Sequence, residues 1–134
     1  MAARSKARKR ALDLLFASEV RGRSVVEALA EELEGERPVN DYTSTLVHGV
    51  ADHAAQIDRI ISDYAAGWSL DRMPSVDRNV LRLGVYEVLY ADVPAAVAVN
   101  EAVKLVKDLS TDESPAFVNG VLGNVVRDRE DLLA

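Results

Sequence analysis

The chain has no cysteine among its 134 residues, which excludes a disulfide scaffold, a thiolate nucleophile and any zinc site built on sulfur. Histidine is nearly as scarce. His48 and His53 lie five apart, off a common helical face, and in no metal-ligand pattern, so neither a metal nor another cofactor is expected. No run approaches the roughly 20 apolar residues of a membrane helix. The basic start followed by apolar residues has the outline of a secretory leader, but Asp13 and Glu19 interrupt the apolar part, and a cytoplasmic protein is expected. Strand-like alternation is also missing, since Pro94 interrupts the one candidate stretch, residues 93–99. Gly120 and Gly123 lack the strand and lysine of a phosphate loop. Acids are plentiful, but pairs such as Glu31-Glu32 read as solvated faces, so no catalytic constellation emerges and an enzyme is not expected.

What is present is an uneven charge. The formal net charge is −6, yet residues 1–10 carry Arg4, Lys6, Arg8, Lys9 and Arg10 with no acid, leaving 11 bases against 22 acids in the remainder. An acidic body argues against wrapping duplex DNA broadly and leaves room for one local anionic contact at the basic end. Positive charge at a helix N-terminus also opposes the helix dipole. Two readings stand side by side: a phosphate-contacting surface, most readily for RNA, or a solubilising, frayed start.

Helical periodicity covers almost the whole chain and predicts an all-α fold, one compact bundle of six to seven helices over residues 1–134, with a basic first helix or arm at 1–20. Ala7, Ala11, Leu14, Leu15 and Val20 form its apolar stripe, widened by Leu12 and Phe16; Gly22 ends it. Ser24 and Glu27 have capping-box spacing at the start of a second helix, which Gly35 closes. A third begins at Asn40 or Asp41 and a fourth covers 54–64, with the break at Asp52-His53 left open. Trp68 and Leu70 in the next connector are expected to plug the core. A fifth helix, capped by Ser75 and running to about residue 91, is apolar nearly all round and belongs at the centre, where Gly84 implies a close helix approach. A sixth spans about 97–109, and Ser114-Pro115 opens a seventh.

Arg78, Arg82, Glu87, Asn100, Glu101 and Asn119 sit within these apolar helices. They read either as a half-buried polar network fixing register or as a protein-contact face, given the spacing of four that joins Arg82, Tyr86 and Tyr90.

The blocks Val76-Asp77-Arg78-Asn79-Val80-Leu81-Arg82-Leu83-Gly84-Val85-Tyr86-Glu87, Val99-Asn100-Glu101-Ala102-Val103-Lys104-Leu105 and Phe117-Val118-Asn119-Gly120-Val121-Leu122 resemble the bacterial NusB family of transcription antitermination factors. The opening Arg8-Lys9-Arg10-Ala11-Leu12-Asp13-Leu14-Leu15-Phe16 is similar to that family's basic helix, so the likeness extends over essentially the whole chain. The resemblance implies a NusB-like fold of two small helical subbundles, without catalysis. It implies binding to the boxA element of ribosomal RNA leader transcripts, together with the small-subunit ribosomal protein NusE, inside an RNA polymerase antitermination complex. Carried over by position, the RNA-binding residues are Arg4, Lys6, Arg8, Lys9, Arg10, Asp112 and Glu113, and the partner-facing residues are Arg82, Tyr86, Glu87 and Glu101. Ser114-Pro115-Ala116 departs from the basic or histidine character common before that phenylalanine. The lysine-poor, Val/Ala/Arg/Asp-rich composition looks actinobacterial, and some actinobacterial members form homodimers; a protein-interaction or homodimerisation module is the alternative reading.

Overall fold

The structure, a computed structural model, describes residues 2–134. Among them are eight α-helices and no strand. They are α1 (Ala3–Arg21), α2 (Val25–Glu34), α3 (Asp41–Asp52), α4 (Ala54–Tyr64), α5 (Ser75–Leu89), α6 (Ala95–Leu109), α7 (Ser114–Arg127) and α8 (Arg129–Leu133), with a 3₁₀ turn at Leu70–Arg72 before α5. The count exceeds the six to seven expected because α3 and α4 are separate helices that part at His53, and because the tail forms a further short helix.

Local chemistry sets these boundaries unevenly. Gly22 adopts φ 65°, a left-handed conformation that favours glycine, and its N–H and that of Arg23 donate to the last carbonyls of α1. Asn40 accepts from the Tyr42 N–H at 2.8 Å and starts α3. The capping box at Ser24 does not form: Ser24 precedes α2 but makes no side-chain cap bond. Ser75 and Ser114 are likewise inside their helices rather than capping them, because their hydroxyls turn to Glu19 and Asp77 instead.

α5 is the axis of the bundle, in contact with α1, α3, α4, α6, α7 and α8. Around it α1, α2 and α3 pack on one another, and α6 pairs with α7. Val80, Leu81 and Val85 of α5 are fully buried with Leu46, Val47, Ile57, Ile61, Val118 and Leu122. Two glycines permit the closest approaches. A Cβ on Gly84 would lie 2.6 Å from Leu122 Cδ1, and one on Gly49 would lie 2.1 Å from the Tyr86 ring. Gly120, by contrast, faces open space. Gly84→Ala is therefore expected to destabilise by about 1–3 kcal/mol through overpacking. Gly120→Ala should stabilise by up to about 1 kcal/mol through helix propensity alone. Urea unfolding of the two variants checks the opposite signs.

Not every expected core residue is in the core. Trp68 is half-exposed, stacked edge-on against Phe117 with centroids 6.2 Å apart, while Leu70 alone packs against the interior. Val20, 71% exposed, lies outside the buried stripe.

Candidate nucleic-acid interface

The buried face of α1 is Ala7, Arg8, Ala11, Leu12, Leu14, Leu15 and Ser18. A helix with that face inward turns residues 6, 9, 13, 16 and 20, spaced three and four apart, toward solvent. Lys6, Asp13, Phe16 and Val20 are exposed there, and Lys9 is partly so. Phe16, expected to widen the core stripe, thus stands 42% exposed, one turn and a half beyond the basic segment.

The five cations of the basic start have different fates. Lys6 has no ion-pair partner among the described residues. Lys9 bonds both oxygens of Asp13 at 2.8 Å, and Arg10 reaches Glu32 of α2. Both pairs are at the surface, where such bridges contribute about 0–1 kcal/mol and a phosphate can displace the carboxylate. Arg4 is exposed, its guanidinium 4.4 Å from the Tyr42 ring centroid. Arg8 is placed differently from its expected role on the RNA-facing surface: it is 4% exposed and turned into the protein. Its Nε and Nη2 donate to Glu87 at 2.8 and 2.9 Å, and Glu101 lies 3.4 Å from Nη1. Burial opposes the Arg8 charge, but the hydrogen bonds and negative charge of Glu87 outweigh it and raise its pKa. Tyr42 donates to the same carboxylate, and burial followed by that bond pushes its phenol upward.

The residues expected to face a partner are equally occupied. Glu87 is 2% exposed, which removes it from any surface. Glu101, partly buried, accepts from Ser5 as well as facing Arg8. Arg82 forks onto Asp58 at 2.9 and 3.1 Å and bonds Asn79. Tyr86 covers Gly49, and Tyr90 stacks on His53 at 3.9 Å. Of the two readings of these polar residues, a register-fixing network describes Arg78, Arg82 and Glu87; Asn100 and Asn119 are exposed instead.

Glu19 is the hub of that network. It accepts from Ser75, Arg78 and Asn79 and ties the end of α1 to the start of α5. Burial alone would raise its pKa, but these three bonds and the Arg78 charge lower it to about 2 from the ordinary 4.5. A carboxylate depressed in the folded state stabilises fully above its unfolded value and loses that contribution as pH falls through the folded one. Glu19→Gln is therefore expected to unfold more readily at neutral pH and to show a flatter stability profile between pH 4.5 and about 2. Thermal melts of both forms across that window read the difference.

Beyond this tie, next to the start of α5, lies a cleft of about 320 Å³ lined by Trp68, Arg72, Pro74, Asp77, Thr111, Glu113, Ser114 and Phe117 among others. Asp77 is 3% exposed and accepts from Ser110 at 2.7 Å and Ser114 at 2.9 Å. Asp112 and Glu113 are exposed on the loop before α7, and Glu113 is on the cleft wall. Sequence reasoning passed over Trp68, Phe117 and Asp77 as site residues; an aromatic beside Gly67 and an acid in the first turn of α5 were the available signals. The α1 stripe and the cleft between them offer cations, aromatic faces and hydroxyl and carboxylate groups, the set that single-stranded nucleic acid uses. No group of three or more His, Asp or Glu able to hold a metal occurs among the described residues, and no helix there is long and apolar enough to cross a membrane.

Comparison with known proteins agrees with the motif blocks. The transcription antitermination protein NusB of a Nocardioides species is 67% identical, the match covering 98% of this chain and 99% of that protein. That of Kineococcus radiotolerans is 52% identical over the whole of both. Among solved structures, T. maritima NusB superposes with a TM-score of 0.86 at 30% identity, covering 98% of this chain and 96% of that one. A NusB-like chain in the crystal structure of antitermination factors NusB and NusE in complex with double-stranded RNA does so with a TM-score of 0.79 at 31% identity, covering 92% and 96%. Residues 5–127 match the sequence profile of the NusB family, and the chain belongs to that family.

Proposed function

We propose that the chain is a non-catalytic, cytoplasmic transcription antitermination factor, one domain over residues 1–134, that binds the boxA element of ribosomal RNA leader transcripts. It does so with NusE, as a component of the RNA polymerase antitermination complex. The observation that carries this reading is the outward stripe of Lys6, Lys9 and Phe16 on α1, with the Trp68–Phe117 cleft beyond the Glu19–Ser75 tie. Lysines, Arg4 and the displaceable Arg10 attract phosphates and set register without reading sequence. Phe16, Trp68 and Phe117 present surfaces on which unstacked bases rest, and the exposed Thr111 and Glu113 on the cleft wall supply base-edge partners, while the buried Asp77 holds Ser110 and Ser114 in place beneath them. Asp112 and Glu113 serve in this scheme as hydrogen-bond acceptors rather than phosphate ligands. NusE is assigned to the surface around the half-buried Arg82 and Tyr86 of α5 and the partly buried Glu101 of α6, with the buried Glu87 supporting it from within.

The test is fluorescence anisotropy with leader RNA carrying boxA or a scrambled boxA, with and without NusE. Preference for boxA, strengthened by NusE, is expected. Equal binding to both RNAs in the presence of NusE contradicts the assignment, and a tight dimer indifferent to RNA in sedimentation favours the homodimerisation reading instead.

A further inference from the structure

We propose that Glu87, acting through Arg8, is a positioning residue for the RNA face of α1. This inference rests on the RNA reading above. The first two turns of α1 have little apolar burial to hold them. Ala2 precedes the helix without a side-chain cap bond, no acid stands in the first turn, and Ala3, Arg4 and Lys6 are exposed. Within α1, Ala7 is the one buried apolar side chain before residue 11, and alanine has no length with which to key a helix into a core. A rotation of α1 by one position, about 100°, would carry Lys6, Lys9 and Phe16 off their common face.

Arg8 prevents that rotation by a two-pronged bond. Its Nε and Nη2 meet the two oxygens of Glu87, fixing both the direction and the roll of the guanidinium. Around this pair two further helices converge on the same stretch of α1. Tyr42 of α3 donates to Glu87, Thr43 of α3 donates to the Ala7 carbonyl at 3.2 Å, and Glu101 of α6 takes Ser5 and faces Arg8. Arg8 is sealed from solvent and faced by two carboxylates, so it is not itself a phosphate ligand. Its contribution to RNA binding is the orientation of its neighbours.

Glu87→Gln keeps the shape and leaves the guanidinium without its counter-charge. The double variant Arg8→Gln/Glu87→Gln removes both charges and leaves two amides able to bond each other. With both variants shown folded by helical circular dichroism, amide exchange in α1 and binding to boxA RNA are measured well below the melting temperatures. In Glu87→Gln, exchange over residues 5–11 should accelerate about tenfold or more while α7 stays protected. RNA affinity should fall about tenfold, with a shallower salt dependence. The double variant should return to within about threefold of the parent, since the buried charge is no longer unpaired. Should Glu87→Gln not fold, Tyr42→Phe, which keeps the ion pair and loses one bond to Glu87, makes the same comparison, with smaller losses expected in both readouts. Faster exchange with unchanged affinity overturns this inference alone. So does a double variant that binds more weakly than Glu87→Gln, because Arg8 would then be touching RNA. A parent chain with no RNA binding overturns the RNA reading and this inference together.

Discussion

Alanine in place of Glu87 is expected to lower stability by about 3–5 kcal/mol, one of the two largest effects anticipated for any single site in the chain. The side chain is 2% exposed and its partner Arg8 4%, so truncation leaves a guanidinium in the interior with only Glu101, 3.4 Å from Nη1, to face it. The Tyr42 hydroxyl loses its acceptor at the same time. Replacing the pair by apolar residues of similar length, Arg8→Met/Glu87→Leu, should cost far less, because neither charge of the buried pair then remains to be solvated. Urea titration with an unchanged m-value distinguishes this loss of stability from a change in the unfolded chain. A Glu87→Ala variant within about 1 kcal/mol of the parent would mean that Arg8 escapes to solvent, and the buried clamp would then not describe the protein.

The second large effect is on binding. Lys6→Ala/Lys9→Ala/Phe16→Ala is expected to weaken boxA RNA binding by about two orders of magnitude with the fold intact. One stacked base contributes about 1–3 kcal/mol. Two lost phosphate contacts to a single strand remove about 1.4 from the slope of log affinity against log salt. All three side chains face outward, and none contributes to the buried core, so melting should change by little. The matched control is Glu27→Ala/Glu34→Ala on the exposed side of α2, where affinity should hold. A triple variant that keeps full affinity places the RNA elsewhere.

The sequence foretold the fold much better than the site, for a physical reason. Periodicity reports which residues share a helical face, so α4 emerges at residues 54–64 and Gly84 as a close approach, as the structure has them. It does not report which way a face is rolled relative to distant elements. Arg8 and Lys9 are adjacent bases of the same type in sequence, yet a carboxylate 79 residues away takes Arg8 inside. Phe16 illustrates the reverse: an aromatic next to Leu15 reads as core until the phase of α1 is fixed by Ala7, Ala11, Leu14 and Ser18. Serine at a helix start is ambiguous in the same manner. Ser75 and Ser114 have the composition of caps, but Glu19 and Asp77 are the acceptors that claim their hydroxyls. The charge asymmetry and the motif blocks were legible; the cleft was not, because Trp68, Asp77 and Phe117 come from three separate segments.

The central claim is that the outward stripe of Lys6, Lys9 and Phe16 on α1 and the Trp68–Phe117 cleft together receive the RNA. Ultraviolet cross-linking of 4-thiouridine-substituted boxA RNA to the protein–NusE complex, with the joined residues mapped by mass spectrometry, tests it most directly. The account predicts cross-links at Phe16 and at Trp68 or Phe117. Cross-links confined to α2 or to the outer face of α6, with none on α1 or in the cleft, would contradict it.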